Sequence, residues 1–517
     1  MIPVYWLWLN EEPHNGFWDW GLIKEMLNKS DYSFDHRHTS EIEQGDFGIV
    51  VVPGAAHYGK VEKVNRQLAK LGSCIVFVTS DEERRLLLSE LKHHKMKVWL
   101  SYGRNTDQNV TFLPLGAPDG FTPTQSDSRP LTAYFKGQTP TVSRTQLIRS
   151  MSQMKNVECK TTEGFGQGMK GDYAYGLSHA KFAPAPHGTV HPDSFRLYEA
   201  LESGAVPIVQ QDPYWRLVNG DYLVVEDWSN LEGNIREWIG NWKMESIKRS
   251  YAWMWTKRNL RKYLEDDIEE LSNKKAGQKI TALIATSPIK SHPSTEIIEE
   301  TIKSVRDRLP RSEIIIMCDG VRETQGNYRD RYEDYQLNLF WVAKKYDCMI
   351  LRSDEHRHQA GMTAAALQLV DTPQILFMEH DTPLCESIPF EAISEVISDG
   401  ELDVVRFHFE SHILPPHRHL SRGAFRHNGI PYARTVQWSQ RPHLASTDYY
   451  KRIIKQNFIG EKGEIKKTMI EDKMHGVAQE HENEHRLAFY RPKGDMKRSY
   501  HTDGREDDSK FEEEFEL

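Results

Sequence analysis

One stretch of the chain shows a helix together with both of its boundaries: Asp193-Ser-Phe-Arg-Leu-Tyr-Glu-Ala-Leu-Glu-Ser-Gly-Ala-Val-Pro207. Ser194 is of a residue type that begins helices, and Gly204 is of the type that ends them. Apolar runs predict a strand over Phe182–Pro186 before the helix and another over Val206–Gln210 after it. Strand, loop, helix and strand in this order predict one β-α-β unit of a parallel sheet.

The same alternation continues towards the N-terminus. We predict strands over Pro3–Leu9, Phe47–Val52, Cys74–Thr79, Lys97–Leu100 and Leu131–Phe135, and helices over Trp18–Asn28, Lys60–Leu71, Asp81–Lys92 and Arg144–Met154. The stretch Pro114–Pro130 is rich in Pro, Gly, Asp and Ser, which predicts a loop that connects two such units. Residues 1–272 are therefore predicted to form an α/β double Rossmann fold, with subdomains of about 1–125 and 126–272 that are separated by a cleft.

The alternation of predicted strands and helices begins again after a short polar linker at residues 273–279. Strands are expected over Ile280–Ala285, Glu313–Met317 and Gln374–Met378, and helices over Ser294–Arg308, Gln336–Lys345 and Ala360–Leu369. We predict that residues 280–504 form a single Rossmann-type α/β domain. Residues 505–517 are strongly acidic and read as a solvated tail.

Composition excludes several classes of protein. The net charge of −9 argues against bulk binding to nucleic acid or to anionic membranes. The five cysteines are odd in number and contain no C-x-x-C pair, which argues against a disulfide framework or a cysteine zinc site. The N-terminus does not read as a signal peptide, and the apolar runs have the length of strands. We expect a soluble, cytoplasmic protein.

The helix in the first half carries residues that suit a diphosphate. Free N–H groups at its start, with Arg196 in the first turn, favour an anion. Glu199 lies one turn farther and can accept hydrogen bonds from ribose hydroxyls. The simpler reading is an ordinary Rossmann unit in which Arg196 and Glu199 form a surface pair.

Residues 129–214 closely resemble the exostosin family of GT-B glycosyltransferases. The resemblance lies in Arg129-Pro-Leu-Thr-Ala-Tyr-Phe-Lys-Gly137, in Ser143-Arg144, and in the ordered block from Lys181 to Pro207. It implies that Arg196 and Glu199 contact a nucleotide sugar and that Gly188 and Ser194 shape its phosphate pocket, with Arg144 also on the donor side.

In the second half, a hydrophobic strand ends in two carboxylates: Ile375-Leu-Phe-Met-Glu379-His380-Asp381. Alternation along an extended chain puts Glu379 and Asp381 on one side. Such a pair suits a divalent cation, Mn²⁺ or Mg²⁺, that keeps open positions for a diphosphate. An isolated E-x-D sequence also arises by chance.

This pattern resembles the D-x-D motif of GT-A, family-2-like glycosyltransferases. The resemblance implies a donor loop at Ser287, a contact from Asp319 to the uracil or ribose, and a carboxylate base in Met469-Ile-Glu-Asp-Lys473, with Asp472 preferred and Glu471 second. A late histidine often joins the metal in such enzymes, and His501 is the best placed by sequence. The rivals are His481 and His485, which would share one helix face. The pair at 471–472 also suits a helix dipole without any catalytic role.

Residues 404–447 are rich in Arg and His and contain a single acid, Glu410. Arg441 and His443 resemble the acceptor-side loop of GT-A enzymes. The segment suits an anionic acceptor, such as a phosphorylated glycan, a lipid-linked diphosphate or DNA with hydroxymethylated bases. It also suits a clamp on the donor diphosphate or a solvated basic face.

Together the two halves predict a bifunctional, inverting glycosyltransferase that uses nucleotide sugars, with UDP-sugars the first expectation. The alternative is one active domain with a non-catalytic companion that binds glycan or DNA. A different class is a non-catalytic protein that keeps these folds and only binds glycan or nucleic acid. A nucleotidyltransferase ranks last, because Ser287-Pro-Ile-Lys290 lacks the glycines of a phosphate loop.

Overall fold

The computed structural model divides the chain into two compact units, Met1–Gly277 and Gln278–Leu517. It describes residues 1–7, 18–37, 42, 44–54, 59–83, 86, 88–102, 110–126, 128–139, 141–163, 172–216, 221–274, 280–385, 388–407, 419–491 and 498–502. No helix within these ranges is both long and apolar enough to cross a membrane.

The first unit begins with a six-stranded, fully parallel sheet. Its strands are β1 (Ile2–Trp6), β2 (Phe34–Arg37), β3 (Gly45–Pro53), β4 (Leu71–Thr79), β5 (Met96–Leu100) and β6 (Val110–Phe112), in the order β2-β1-β3-β4-β5-β6. Helices α1 (Gly21–Lys29) and α2 (Val61–Leu68) connect the early strands. The central strands read as unbroken apolar runs because both of their faces are buried.

A second parallel sheet completes this unit. Its strands are β7 (Leu131–Gly137), β8 (Val157–Thr161), β9 (Ala180–Ala185), β10 (Val206–Gln210) and β11 (Leu223–Val225), in the order β11-β10-β9-β7-β8. The accompanying helices are α3 (Val142–Met151), α4 (Asp172–Ser178), α5 (Phe195–Glu202), α6 (Leu231–Trp238) and α7 (Trp242–Ser272).

The long helix α7 contacts both sheets of the first unit. Ser246 donates to the carbonyl of Gly204, which precedes β10. Farther along, the Trp99 indole of β5 donates to Asp267 at 2.9 Å, and the Ser73 hydroxyl of β4 donates to the Leu271 carbonyl at 2.9 Å. Helix α7 therefore holds the two sheets together within one core.

The second unit has one nine-stranded mixed sheet. Its strands are β12 (Ile280–Thr286), β13 (Glu313–Cys318), β14 (Met349–Arg352), β15 (Gln374–Glu379), β16 (Val404–Arg406), β17 (Ser421–His427), β18 (Ile430–Thr435), β19 (His443–Ser446) and β20 (Leu487–Tyr490). The order is β14-β13-β12-β15-β19-β16-β20-β18-β17, and the first four strands are parallel. The helices are α8 (Glu296–Arg308), α9 (Arg329–Tyr346), α10 (His358–Leu367), α11 (Phe390–Ser398), α12 (Thr447–Asn457) and α13 (Ile470–Glu480).

The predicted α/β class is confirmed, and most predicted elements lie within a few residues of their observed bounds. The helix predicted over Asp81–Lys92 is wrong: the described residues there contain only a 3-10 turn, Leu88–Glu90. The Asp81 carboxylate accepts the Leu86 N–H at 2.8 Å, a side-chain contact that the helical pattern did not predict. The strands that were not predicted are β2, β6, β8, β11, β14, β16, β19 and β20 and the hairpin β17–β18. The linker at 275–279 and the tail at 505–517 lie outside the described residues.

Candidate active sites

Three parallel strands of the second unit end side by side. In their register Ala285 is opposite Glu379, and Thr286 is opposite Cys318. The His380 N–H continues the pairing past β15 by donating to the Ala285 carbonyl at 2.9 Å. The residues that follow β12, β13 and β15, which include Ser287, Asp319 and Asp381, therefore leave one edge of the sheet. Ligands of doubly wound sheets bind at this edge.

Asp381 lies next to His501, although the two come from distant parts of the chain. Asp381 is 2% exposed, and its Oδ2 lies 3.5 Å from His501 Nδ1. Backbone bonds bring the late segment here, because the Thr502 N–H donates to the Asp381 carbonyl at 3.0 Å and the Cys385 N–H donates to the Arg498 carbonyl at 2.8 Å. The carboxylate and the imidazole are thus held together by main-chain contacts around them.

Arg441 extends this pair. Its Nη1 donates a hydrogen bond to His501 Nε2. A guanidinium can only donate, so Nε2 is the acceptor nitrogen and Nδ1 carries the proton that faces Asp381. Three residues predicted for the metal and acceptor sides therefore lie in contact one after another: Arg441 bonds His501, and His501 faces Asp381.

Asp381 and His501 are two side chains here that could ligate a divalent cation. Among the described residues no three His, Cys, Asp or Glu side chains cluster as a metal site. Asp381 and His501 offer a carboxylate oxygen and an imidazole nitrogen, both of which ligate Mn²⁺. Ligation by Nδ1 requires its proton to leave. The two residues fit a cation that takes its remaining ligands from a diphosphate, and His501 is the histidine that the geometry favours.

The rival histidines, His481 and His485, do not form the pair that their spacing predicts. Helix α13 ends at Glu480, so His481 and His485 do not share a helix face. His485 accepts or donates a hydrogen bond with the Tyr449 hydroxyl at 2.8 Å and is 7% exposed. The expectation that they form an i,i+4 pair on one helix is wrong, because the chain leaves the helix between them.

Glu379 has a partner that the motif did not predict. Its Oε1 accepts a hydrogen bond from Gln359 Nε2 at 3.4 Å, and Gln359 also accepts one from Gln440 Nε2 at 2.7 Å. Both glutamines were missed, because an isolated glutamine has no distinguishing sequence signal.

Glu471 and Asp472 lie in the first turn of α13. Glu471 is partly buried and Asp472 is exposed. Within the described part of the chain neither carboxylate forms a hydrogen bond or an ion pair, which leaves both able to accept a proton. The Ile470 N–H at the start of the same helix donates to Gln359 Oε1 at 3.0 Å.

Asp319 is engaged by the protein itself. Its Oδ1 accepts the Arg357 N–H at 2.7 Å, and its Oδ2 accepts the His358 N–H at 2.9 Å. The His356 imidazole lies 2.8 Å from Oδ2 as well. The carboxylate therefore fixes the start of α10, and the predicted contact with a uracil or ribose competes with these bonds.

His443 belongs to the core, contrary to its predicted place on the acceptor side. It is fully buried in β19, with Nδ1 2.7 Å from the Arg441 carbonyl and Nε2 2.7 Å from the Tyr450 hydroxyl. Burial lowers the pKa of His443 to about 4. Both ring nitrogens are used inside the fold, so the residue holds the backbone of Arg441. Residues 408–418, about a quarter of the basic segment, lie outside the described residues.

In the first unit Arg196 lies against the end of β7. Its Nε donates to the Lys136 carbonyl at 3.3 Å, and the guanidinium lies 5.5 Å from the centre of the Phe135 ring. A Cβ at Gly137 would be 2.3 Å from Arg196 Nη2. The glycine that ends this strand is therefore required for the observed position of Arg196.

Glu199 and Arg144 complete this cluster. Glu199 is 1% exposed, and burial raises its pKa to about 7 against the opposing effects of Arg196 and a hydrogen bond from Tyr173. Burial, together with the nearby Arg196 charge, lowers the pKa of Arg144 to about 10. Arg144 Nη2 donates to the His187 carbonyl at 2.8 Å. Two guanidinium groups and one carboxyl group thus converge beside β7 and β9.

The loop before α5 already holds an anionic group. Glu82 Oε1 accepts the Val190 N–H at 2.7 Å and the His191 N–H at 2.9 Å, and it would lie 2.7 Å from a Cβ at Gly188. Ser194 precedes α5 but makes no capping hydrogen bond with its side chain. The loop offers backbone donors to an anion, and the structure fills two of them with the carboxylate of Glu82, which the sequence did not predict.

A cavity of about 370 Å³ lies elsewhere in the first unit. Its lining includes Tyr198 of α5, Tyr222, and Trp253 and Asn259 of α7, whereas Arg144, Arg196 and Glu199 do not line it. The predicted donor residues and this cavity are therefore different features of the unit.

Comparison with known proteins gives only distant likenesses. No protein-family model and no curated protein matches the chain. A cytidylyltransferase from Leptospira borgpetersenii serovar Hardjo-bovis is 11% identical with a TM-score of 0.26, over 43% of this chain and 79% of that one. TarS of S. aureus is 12% identical with a TM-score of 0.28, over 43% of this chain and 36% of that one.

A third solved structure is the mannosyltransferase PcManGT from Pyrobaculum calidifontis in complex with GDP-Man and Mn²⁺. It is 11% identical with a TM-score of 0.28, over 42% of this chain and 57% of that one. We draw no family and no activity from likenesses at this level, and we argue the function from the residues of the two sites.

Proposed function

We propose that the second unit is a glycosyltransferase that moves a sugar from a nucleotide diphosphate, with UDP the first nucleotide to test, to a hydroxyl acceptor. The observation that carries this proposal is the 3.5 Å approach of Asp381 Oδ2 and His501 Nδ1. It occurs at the edge where parallel strands end, which is where such sheets bind ligands.

Asp381 and His501 are the residues that would hold Mn²⁺ or Mg²⁺, which would supply positive charge against the negative charge that develops on the departing diphosphate. Glu379, two residues before Asp381 in the chain, would add negative charge that balances the same cation. The contact between Arg441 and His501 supports a role for Arg441 on the donor diphosphate, since a guanidinium forms strong paired hydrogen bonds with phosphate oxygens. Of the roles open to the basic segment, this contact favours the diphosphate clamp.

The proton of the acceptor passes to a carboxylate on α13. As the hydroxyl oxygen bonds to the anomeric carbon, the bond from that carbon to the diphosphate oxygen breaks, and Asp472, with Glu471 as the second choice, takes the proton. The absence of partners for either carboxylate within the described residues supports this role. Attack from the side opposite the diphosphate inverts the anomeric carbon.

We infer further that the first unit has a nucleotide-sugar site of its own, of the GT-B exostosin type. Arg144 and Arg196 supply positive charge for a diphosphate, and Glu199 accepts hydrogen bonds from ribose hydroxyls. The support is the convergence of these groups, including a buried guanidinium and a buried carboxyl. Two such sites imply two successive transfers onto one glycan, lipid-linked or hydroxymethylated DNA acceptor.

The experiment is a panel of UDP-, GDP- and CMP-sugars with Mn²⁺ or Mg²⁺, measured by thermal stabilisation and by release of the nucleoside diphosphate. A ligand that binds the folded state raises the melting temperature. We expect metal-dependent stabilisation and turnover with one nucleotide class, and loss of both in Asp381→Ala.

The matched control is Asp307→Ala, an exposed aspartate of α8. It should behave as the wild type. Full metal-dependent turnover by Asp381→Ala would remove Asp381 from the mechanism. Binding of a nucleotide sugar without any turnover would instead favour the non-catalytic alternative, in which these folds only recognise a glycan or DNA.

A further inference from the structure

One glutamine side chain in the second unit forms hydrogen bonds both beside the proposed metal ligands and at the start of the helix that carries the proposed base. Gln359 is in the first turn of α10, and its Nε2 donates to Glu379 Oε1 at 3.4 Å. Its Oε1 accepts the Ile470 N–H at 3.0 Å and the Gln440 Nε2 at 2.7 Å. Glu379 ends the strand that leads to Asp381, and Ile470 begins the helix that carries Asp472.

The orientation of this amide follows from its partners. A backbone N–H only donates, so the atom that faces Ile470 must be the side-chain oxygen. The nitrogen must then face Glu379, whose carboxylate accepts. Both contacts therefore depend on a side chain with one donor end and one acceptor end.

The backbone around Gln359 is also fixed. Asp319 holds the start of α10 through the N–H groups of Arg357 and His358. The N–H of Ala360 donates to the Thr468 carbonyl at 3.2 Å, next to the start of α13. The glutamine therefore projects from a rigid turn and not from a free loop.

We propose that Gln359 is a positioning residue that sets the distance between the donor side of the site, at Glu379 and Asp381, and the base side, at Asp472. This inference rests on the proposed function of the second unit. Its nitrogen orients Glu379 towards the donor, and its oxygen anchors the amino end of α13. The two ends of the amide act on different steps and can be removed one at a time.

Two substitutions separate them. Gln359→Glu keeps an acceptor for Ile470 and Gln440 but puts a negative charge against Glu379. Gln359→Lys keeps a donor for Glu379 but removes the acceptor for Ile470. Gln359 is only partly buried, so both side chains can be accommodated.

The kinetic test measures kcat and KM for donor and metal in both variants. Gln359→Glu should raise KM for the metal–donor pair by about tenfold or more with a smaller change in kcat, and Gln359→Lys should lower kcat by about tenfold or more with KM little changed. Adding Glu379→Gln to Gln359→Glu exchanges carboxylate and amide and should recover part of the lost affinity. Equal effects of both variants on kcat and KM, without recovery, would overturn the proposal.

Hydrogen exchange tests the link without any activity. The Ile470 amide should exchange faster in Gln359→Lys and at the wild-type rate in Gln359→Glu, with melting temperatures measured to confirm folding. Unchanged exchange in Gln359→Lys would overturn the role of Gln359 even in an active enzyme. An inactive wild type that nonetheless shows the exchange difference would contradict the proposed function and leave the anchoring of α13 by Gln359 supported.

Discussion

Asp381 and His501 illustrate how a residue acquires its role from its neighbours. An E-x-D sequence after a strand is common, and a histidine near the end of a chain is usually on the surface. Here the carboxylate is nearly fully buried and faces the imidazole, whose other nitrogen accepts a hydrogen bond from Arg441. The contact brings a carboxylate oxygen and an imidazole nitrogen together from two residues whose sequence signals are weak by themselves.

The role of His501 can be tested by His501→Gln. Loss of a nitrogen ligand should raise the Mn²⁺ concentration for half-maximal stabilisation by UDP-sugar by at least about tenfold. A suitable control is His427→Gln, since His427 lies on the hairpin β17–β18 and pairs with Asp399. An unchanged Mn²⁺ requirement in His501→Gln would exclude this histidine as a ligand.

Glu199 predicts a pH dependence in the first unit. Burial raises the pKa of Glu199 from its ordinary value of 4.5 to about 7, so the folded state binds this proton more tightly than the unfolded state. The free energy of unfolding should therefore fall as pH rises from about 4.5 to about 7, by about 3 kcal/mol at most. Glu199→Gln should remove this slope in melting curves recorded against pH. Exposed Glu237→Gln is the control, and an identical slope in the wild type and Glu199→Gln would refute the assignment.

At the scale of secondary structure, helix α7 depends on a buried ionic network. Lys257 Nζ lies 2.8 Å from Glu25 Oε1 on α1 and 2.6 Å from Glu202 Oε1 on α5. The Trp253 indole also donates to Glu202 at 2.6 Å. Three helices therefore meet at one ammonium group.

Replacing Lys257 should destabilise the first unit strongly. Lys257→Met removes the ammonium group that contacts Glu202 and Glu25 in a largely buried place, while Glu25 keeps its ion pair with Lys29. The loss should lower the free energy of unfolding by about 3 kcal/mol. Lys248→Met, on the same helix, breaks a largely exposed ion pair with Asp221 and should cost less than about 1 kcal/mol. Denaturant titration of both variants measures this difference. Equal stabilities would contradict the role given to the network.

At the scale of the whole molecule, each of the two units has its own sheet system and its own candidate site. Asp381→Ala should remove metal-dependent nucleotide binding by the second unit and leave binding by the first unchanged. Arg196→Ala should weaken nucleotide binding by the first unit only. Calorimetric titration of the full chain should therefore lose one site in each variant. Loss of both sites in either variant would contradict the assignment of one nucleotide site to each unit.

Much of the fold could be predicted from the sequence. Continuous apolar runs between helical segments predicted parallel strands, because strands covered on both faces contain few polar residues. The prediction failed at Asp81–Lys92, where the described residues contain a 3-10 turn at Leu88–Glu90 and the Asp81 carboxylate accepts the Leu86 N–H. It also missed more than half of the sheet strands of the second unit and several edge strands of the first. Among these, β2, β6 and β17 are short or half-buried and lack a continuous apolar run.

The sequence by itself determined the α/β class, because the class follows from local periodicity. Residue type and motif resemblance singled out the carboxylates at the end of β15 and the arginine and glutamate of α5 as candidates. Only the tertiary structure decided which residues meet. It brought His501 and Arg441 to Asp381, moved His443 into the core, engaged Asp319 at the start of α10, and placed Gln359 between Glu379 and Ile470. These outcomes depend on strand register and on long-range hydrogen bonds, and neither is encoded in the spacing of residues along the chain.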